Sequence, residues 1–305
     1  MNGAKDKTLR RLSSNLMRVS DLEIKDADAF DPHPANTEAH PTDSWIGLDM
    51  PSECHGELTF SPFAPMALRA LAQFGLEAAT EENMWEMWNK ATRKMASTLA
   101  KRAEQGLPLV TESEGGPKDK EVMLWTGKFG HSKYGHDIPA IKARGIVNMS
   151  PLALTELLLD SSLVKSYNKN SLGRTEDFVL CNNLQSENVT KVIRSRAKPP
   201  LLRKVLEFVS VIHARKLDKS EGFGEGYVIV GRAVEEKHKQ QTEGNVVRSE
   251  ILLNVHLIRK VDNFDGKSEM INVNHLKSPM VPLMIAKKLG SSAAVSFIND
   301  IRSLC

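Results

Sequence analysis

Ser268-Glu269-Met270-Ile271-Asn272-Val273-Asn274-His275 alternates polar and apolar side chains, and a long amphipathic pattern from Met280 to Leu304 follows it. Alternation with period two is the signature of a half-buried strand. Lys277-Ser278-Pro279 breaks the strand, and Pro282 is tolerated in the first turn of the helix that comes next. Along that helix Ile285, Leu289, Ala293, Phe297 and Ile301 form an apolar ridge at four-residue spacing. Gly290-Ser291-Ser292 interrupts it, where a glycine costs about 1 kcal/mol relative to alanine. A helix of this kind is either laid on a sheet as core or serves as a lid over a cavity.

The chain has 305 residues, 41% of them hydrophobic, enough for one substantial core. A formal net charge of +3 gives no argument for nucleic acid. The charge is uneven: residues 1–20 hold five basic groups and one acid, residues 21–60 one lysine and ten acids, and the body is mildly basic. That distribution suits contact with an anionic membrane surface, although solvated faces are the commoner cause. Cys54, Cys181 and Cys305 lie far apart without CxxC spacing, so neither a disulfide framework nor a zinc site is indicated. No apolar run approaches the ~20 residues needed to span a bilayer. The expected location is cytoplasmic, with peripheral membrane contact as an extension.

Residues 1–60 are rich in Asp, Pro, Ser, Thr and Asn and read as a disordered tail, with a short basic amphipathic segment at Lys5–Arg18. Helices are expected over 61–110: Pro65–Ala79 has helical spacing, and a second helix from Thr80 to about Glu104 aligns Met84, Trp88, Ala91, Met95 and Leu99. A Gly/Pro/Glu linker, Thr111–Lys118, precedes a strand-rich body over 119–305. Strands are expected at Val122–Phe129, Ile138–Met149, Arg174–Cys181, Val189–Ala197, Leu206–Lys216, Tyr227–Val234 and Val247–Val261, with a short helix capped by Ser150-Pro151. Strand follows strand through short turns, which predicts an antiparallel sheet in one α+β domain. Phe208, Ser210, Ile212 and Ala214 share one face of their strand.

Catalytic patterns are poor. Gly222-Phe223-Gly224-Glu225-Gly226 leads into Tyr227-Val228-Ile229-Val230, not a helix, and reads as a hairpin turn rather than a nucleotide loop. There is no G-x-S-x-G elbow and no H-E-x-x-H, and His213, His256 and His275 each stand alone on a strand. No enzyme activity, cofactor or metal is expected.

Several blocks occur in a recognisable order: Ala140-Ile141-Lys142-Ala143-Arg144-Gly145-Ile146-Val147-Asn148-Met149-Ser150-Pro151, Leu157-Leu158-Leu159-Asp160 with Tyr167-Asn168-Lys169-Asn170, Lys198-Pro199-Pro200-Leu201 with Glu207-Phe208-Val209-Ser210-Val211, Gly226 to Val234, and Asn272 through Pro282 into the long helix. From about Glu121 onward this order resembles the START domain, the StAR-related lipid-transfer family. The helix near Thr80 would be the family's first helix. Departures are Tyr167 where tryptophan is usual, Leu276 and Pro279 where many members have aspartate and glycine, and Ile212 where sterol-binding members carry a buried arginine.

The resemblance implies a helix-grip fold, a curved antiparallel β-sheet wrapped around a long C-terminal helix, with an apolar tunnel for one lipid between them. Phe208, Ser210, Ile212 and Ala214 would line one wall, and the ridge Ile285, Leu289, Ala293, Phe297 and Ile301 the other. Arg232, Asn254, His256 and Asn272 are candidates for contact with a headgroup or hydroxyl. With Ile212 making the deep end apolar, the reading leans to an acyl-chain lipid such as a phospholipid over a sterol, its phosphate held by basic groups nearer the mouth. The expected function is lipid binding and transfer with transient membrane contact. The alternatives are a non-transferring lipid sensor or adaptor and, behind it, an enzyme of the same superfamily.

Overall fold

The alternating segments from Met123 onward become strands whose pairing is almost wholly antiparallel. The computed structural model describes residues 65–87, 120–129, 136–184, 188–200, 202–236 and 244–305, together with 22–24 and 92. Within the 1–60 segment expected to be a disordered tail, Leu22–Ile24 is instead a strand paired antiparallel with Val234–Glu236; the rest of that tail with its Lys5–Arg18 segment, most of the expected Thr80–Glu104 helix and the Thr111–Lys118 linker lie outside the described residues.

In chain order the elements are β1 (Leu22–Ile24), α1 (Pro65–Thr80), β2 (Trp85–Met87), β3 (Met123–Lys128), β4 (Pro139–Val147), α2 (Pro151–Leu159), α3 (Val164–Tyr167), β5 (Ser171–Asn183), β6 (Asn188–Ala197), β7 (Val205–Lys216), β8 (Gly226–Glu236), β9 (Val246–Arg248), β10 (Glu250–Val261), β11 (Phe264–Lys277) and α4 (Leu283–Arg302). The strands form one curved sheet in the order β2-β3-β4-β11-β10-β8-β7-β6-β5, with β1 paired to β8 and β9 to β7. Only the short β7–β9 pairing is parallel among the described strands. The architecture is the helix-grip arrangement: a curved sheet with the long last helix on its inner face.

Register assigns every side chain to a face, because neighbours along a strand point opposite ways. On the outer face Val228, Val230, Val255, Leu257 and Val273 pack with Leu68, Leu71, Ala72 and Leu76 of α1. On the inner face Val147, Ala214, Ile229, Ile258 and Met270 pack with Leu154 and Leu158 of α2, Tyr167 of α3 and Ile301 of α4. Helix α2 starts as its sequence dictates, with the Ser150 hydroxyl accepting from the Ala153 N–H at 3.3 Å and Pro151 in the first turn. The Gly222–Gly226 stretch is the β7–β8 connection, where Gly222 (φ 73°) and Gly224 (φ 79°) take left-handed conformations.

Two further readings are corrected. Helix α1 ends at Thr80, and Trp85–Met87 is not helical but pairs with β3 as an edge strand, Trp85 opposite Gly127. Packing overrides the local spacing there: the Trp85 indole donates to the Ala78 carbonyl at 2.8 Å and meets Phe129 edge-on at 5.2 Å. The single strand expected over Val247–Val261 divides into β9 and β10 at Ser249. Its N–H donates to the Glu207 carbonyl at 2.8 Å, and its hydroxyl bonds that of Ser278 at 2.9 Å.

Beyond these, the outer face buries a charge triad: Glu269, fully enclosed, is bridged by Arg144 and Arg259. Burial alone would raise the Glu269 carboxyl, but the two guanidinium charges outweigh it and hold it below the usual range.

Candidate functional site

Two rows of side chains cross the inner face beneath α4. Following the register, one row runs Ile141, Asn274, Asn254, Gly231, Ile212 and Lys191 from β4 to β6. The next runs Ala143, Asn272, His256, Ile229, Ala214 and Val189. Helix α4 lies close along β4. A Cβ on Gly290 would stand 2.9 Å from Ile141 Cγ1, and Ala294 and Ile298 pack on Leu124, Ile141 and Ala143. At the other end Arg302 donates to the carbonyls of Ile146 (2.8 Å) and Glu121 (2.9 Å), while Asp300 bridges Lys169 at 2.8 Å. Further from β4, Ile212, Asn254, His256 and Asn274 keep part of their surface uncovered on the inner face. Gly231 is buried between Ile212 and Asn254, and a Cβ there would meet the Val211 carbonyl oxygen at 3.4 Å and Asn254 Cβ at 3.6 Å.

Phe208, Ser210, Ile212 and Ala214 share the inner face as the alternation predicts. The Ser210 hydroxyl is buried there without a hydrogen-bond partner among the described residues. Arg232 does not join them. It pairs with Val211, whose side chain is packed on the outer face, so Arg232 is buried on the side away from α4 and is corrected out of the tunnel wall. The ridge on α4 is also corrected. A step of four residues overshoots a turn by about 40°, so such a ridge winds round the helix. Ile285 is 42% exposed and Ala293 is exposed, while the packed line is Ser291, Ala294, Ile298 and Ile301, at mixed three- and four-residue steps. Leu289 and Phe297 are half-buried, and the Phe297 ring stacks on His256 at 5.5 Å and meets Tyr167 edge-on at 5.9 Å.

Asn254 and Asn272 belong to a continuous polar ladder that the sequence reading had only in fragments. Asn254 Nδ2 donates to Asn274 Oδ1 at 2.8 Å, Asn274 Nδ2 donates to Asn272 Oδ1, and Asn272 Nδ2 donates to His256 Nδ1 at 2.9 Å. Asn274 was missed. Its position two residues from Asn272 on a strand, hence on the same face, was the available signal. Burial, with a smaller push from the Arg174 charge, lowers His256 to about 3, so the imidazole is neutral.

The deep end is less apolar than Ile212 alone implies. Opposite Ile212 stands Lys191, whose ammonium is buried against the Leu159 carbonyl and the Glu176 carboxylate. Arg174 donates to the Leu158 carbonyl at 2.9 Å and to Ser161 Oγ at 3.1 Å. Among the described residues no three His, Cys, Asp or Glu side chains are grouped to hold a metal, and no helix is long and apolar enough to cross a membrane.

No protein-family model and no curated protein sequence matches the chain. Solved structures do. Human StAR-related lipid transfer protein 5 superposes with a TM-score of 0.56 at 10% identity, over 78% of this chain and 94% of that one. Human STARD10 superposes with a TM-score of 0.53 at 14% identity, over 78% of both chains. The fold is START-like.

Proposed function

We propose that the protein binds one lipid between the inner face of the sheet and α4, and carries it between membranes. The observation behind this reading is that α4 packs on β4 through Ala294 and Ile298 and reaches β10 through Phe297 on His256, while Ile212, Asn254, His256 and Asn274 stay partly uncovered on the inner face. The apolar side chains beside the polar ladder, Ile212, Ala214, Ile229 and Phe297, would substitute for the bilayer interior, where each buried methylene is worth about 0.8 kcal/mol. The START-like fold, shared with a protein named for lipid transfer, supports the same reading.

Membrane contact would come from the approach to α4. Leu276 (41%), Met280 (39%), Leu283 (52%) and Ile285 (42%) are exposed there, and residues 270–299 contain three lysines and no acid. Apolar side chains flanked by cations suit an anionic bilayer surface. Native mass spectrometry of the purified protein tests the binding, with one lipid mass per monomer expected. Movement of labelled lipid between vesicles tests the transfer. Binding without movement would favour the sensor reading, and turnover of the bound molecule would favour an enzyme.

A further inference from the structure

Resting on the membrane contact proposed above, we infer that Ser278 is a phosphorylation site for a proline-directed kinase, and that its phosphate releases the protein from an anionic bilayer. Three serines in the chain are followed at once by proline: Ser61, Ser150 and Ser278. Proline has no N–H, so it suits a kinase cleft that offers that position no acceptor. Ser61 lies outside the described residues. Ser150 is committed to its helix, its hydroxyl accepting the Ala153 N–H at 3.3 Å in front of the buried Pro151. Ser278 is placed differently. It is half-buried just past the end of β11, and Pro279, Met280, Pro282 and Leu283 after it are exposed.

Few bonds hold that segment. The Val281 N–H reaches the Ser278 carbonyl at 3.2 Å, and the Ser278 hydroxyl accepts from the Met280 N–H at 3.3 Å and pairs with the Ser249 hydroxyl at 2.9 Å. Opening the segment leaves Ala294, Ile298 and Ile301 of α4 buried in place, so a kinase can draw Ser278 into its cleft at small cost. In the transfer Ser278 Oγ forms a bond to the γ-phosphorus of a nucleoside triphosphate as the bond from that phosphorus to the β-bridging oxygen breaks. The hydroxyl proton passes to the kinase's base, and the nucleoside diphosphate leaves.

The phosphate reverses the charge of the surface that it enters. Residues 270–299 hold Lys277, Lys287 and Lys288 and no acid. A phosphoserine carries about −1.5 to −2 at neutral pH. It therefore cancels more than half of that positive charge, and it does so between the exposed Leu276 and Met280. An apolar patch that meets an anionic bilayer through flanking cations is then repelled by it.

The test incubates the full chain with ATP and a purified mitogen-activated or cyclin-dependent kinase and maps the phosphate by peptide mass spectrometry. Binding is then measured by sedimentation with phosphatidylcholine vesicles that contain phosphatidylserine. Phosphate on Ser278 is expected, with vesicle binding lowered by about tenfold or more, and the difference should shrink as salt is raised. Ser278→Ala, treated in the same way, should keep its binding. Ser278→Glu should bind several-fold more weakly than Ser278→Gln, which has the same length without the charge. No phosphate on Ser278, a treated Ser278→Ala protein that loses binding, or equal binding of the Glu and Gln variants overturns the inference. Lipid binding then still stands, because native mass spectrometry reads the bound lipid without a vesicle. An untreated chain that carries no lipid and meets no vesicle overturns both.

Discussion

His213 and His256 are both kept neutral by burial, His213 lowered to about 4 and His256 to about 3. Below the ordinary imidazole value of about 6.5 the unfolded chain takes up protons that the folded chain refuses. Their contribution is therefore complete above that pH and is lost as pH falls towards 4 and then 3. Glu269, held low by its arginines, adds a loss further into acid. The melting temperature should fall steadily from pH 6.5 to 4.5, and His213→Gln should flatten the slope. A melting temperature that holds across that range would contradict the assignment. Glu269→Gln leaves Arg144 and Arg259 facing each other under cover, and the denaturant midpoint should report a loss of about 3 kcal/mol or more. Phe297→Trp enlarges the ring already stacked on His256, and should block lipid loading while the melting temperature changes little. None of the charge pairings was legible in the sequence, since Arg144 and Glu269 lie on strands joined only by register. The Phe208–Ala214 face was legible, because alternation is local.

Helix α4 is unequally held along its length. Ala294, Ile298 and Ile301 are buried and Arg302 and Asp300 tie down its end, whereas Leu283 and Ile285 stand exposed at its start. Amide exchange should be faster over residues 284–289 than over 295–302, and uniform protection along the helix would remove the case for a lid that opens from its N-terminal half. Gly290→Ala would drive a methyl into Ile141 Cγ1, so the variant should lose about 1–3 kcal/mol through overpacking. The pair Gly290→Ala with Ile141→Val should recover part of it. The sequence located this helix and its glycine, but not its face, because a ridge read at one fixed spacing winds away from the sheet. Strands longer than five residues were found for the opposite reason: period two does not drift. Edge strand β2, three residues inside a helical spacing pattern, carries too short a signal to compete.

The fold as a whole was legible from the order of its strands and their closing helix, while the polar ladder was not, since it joins β10 to β11 side by side and only pairing reveals that. That same pairing has a consequence in time. Strand β11 lies between β4 and β10, so the interior of the sheet is closed only after all the other described strands have been made. At about 5–20 residues per second, the ~130 residues between the end of β4 and the end of β11 keep one apolar edge waiting on the order of ten seconds. An unpaired edge is a template for any passing strand. Ribosome-arrested chains ending near residue 260 should accordingly be held by chaperones, and chains extended past residue 305 by a linker long enough to clear the exit tunnel should be released. Equal chaperone occupancy of the two would mean that the early strands find shelter without β11. The closing of the inner face under α4 is thus a late event in the assembly of this sheet, reached only after the chain has passed through its most adhesive state.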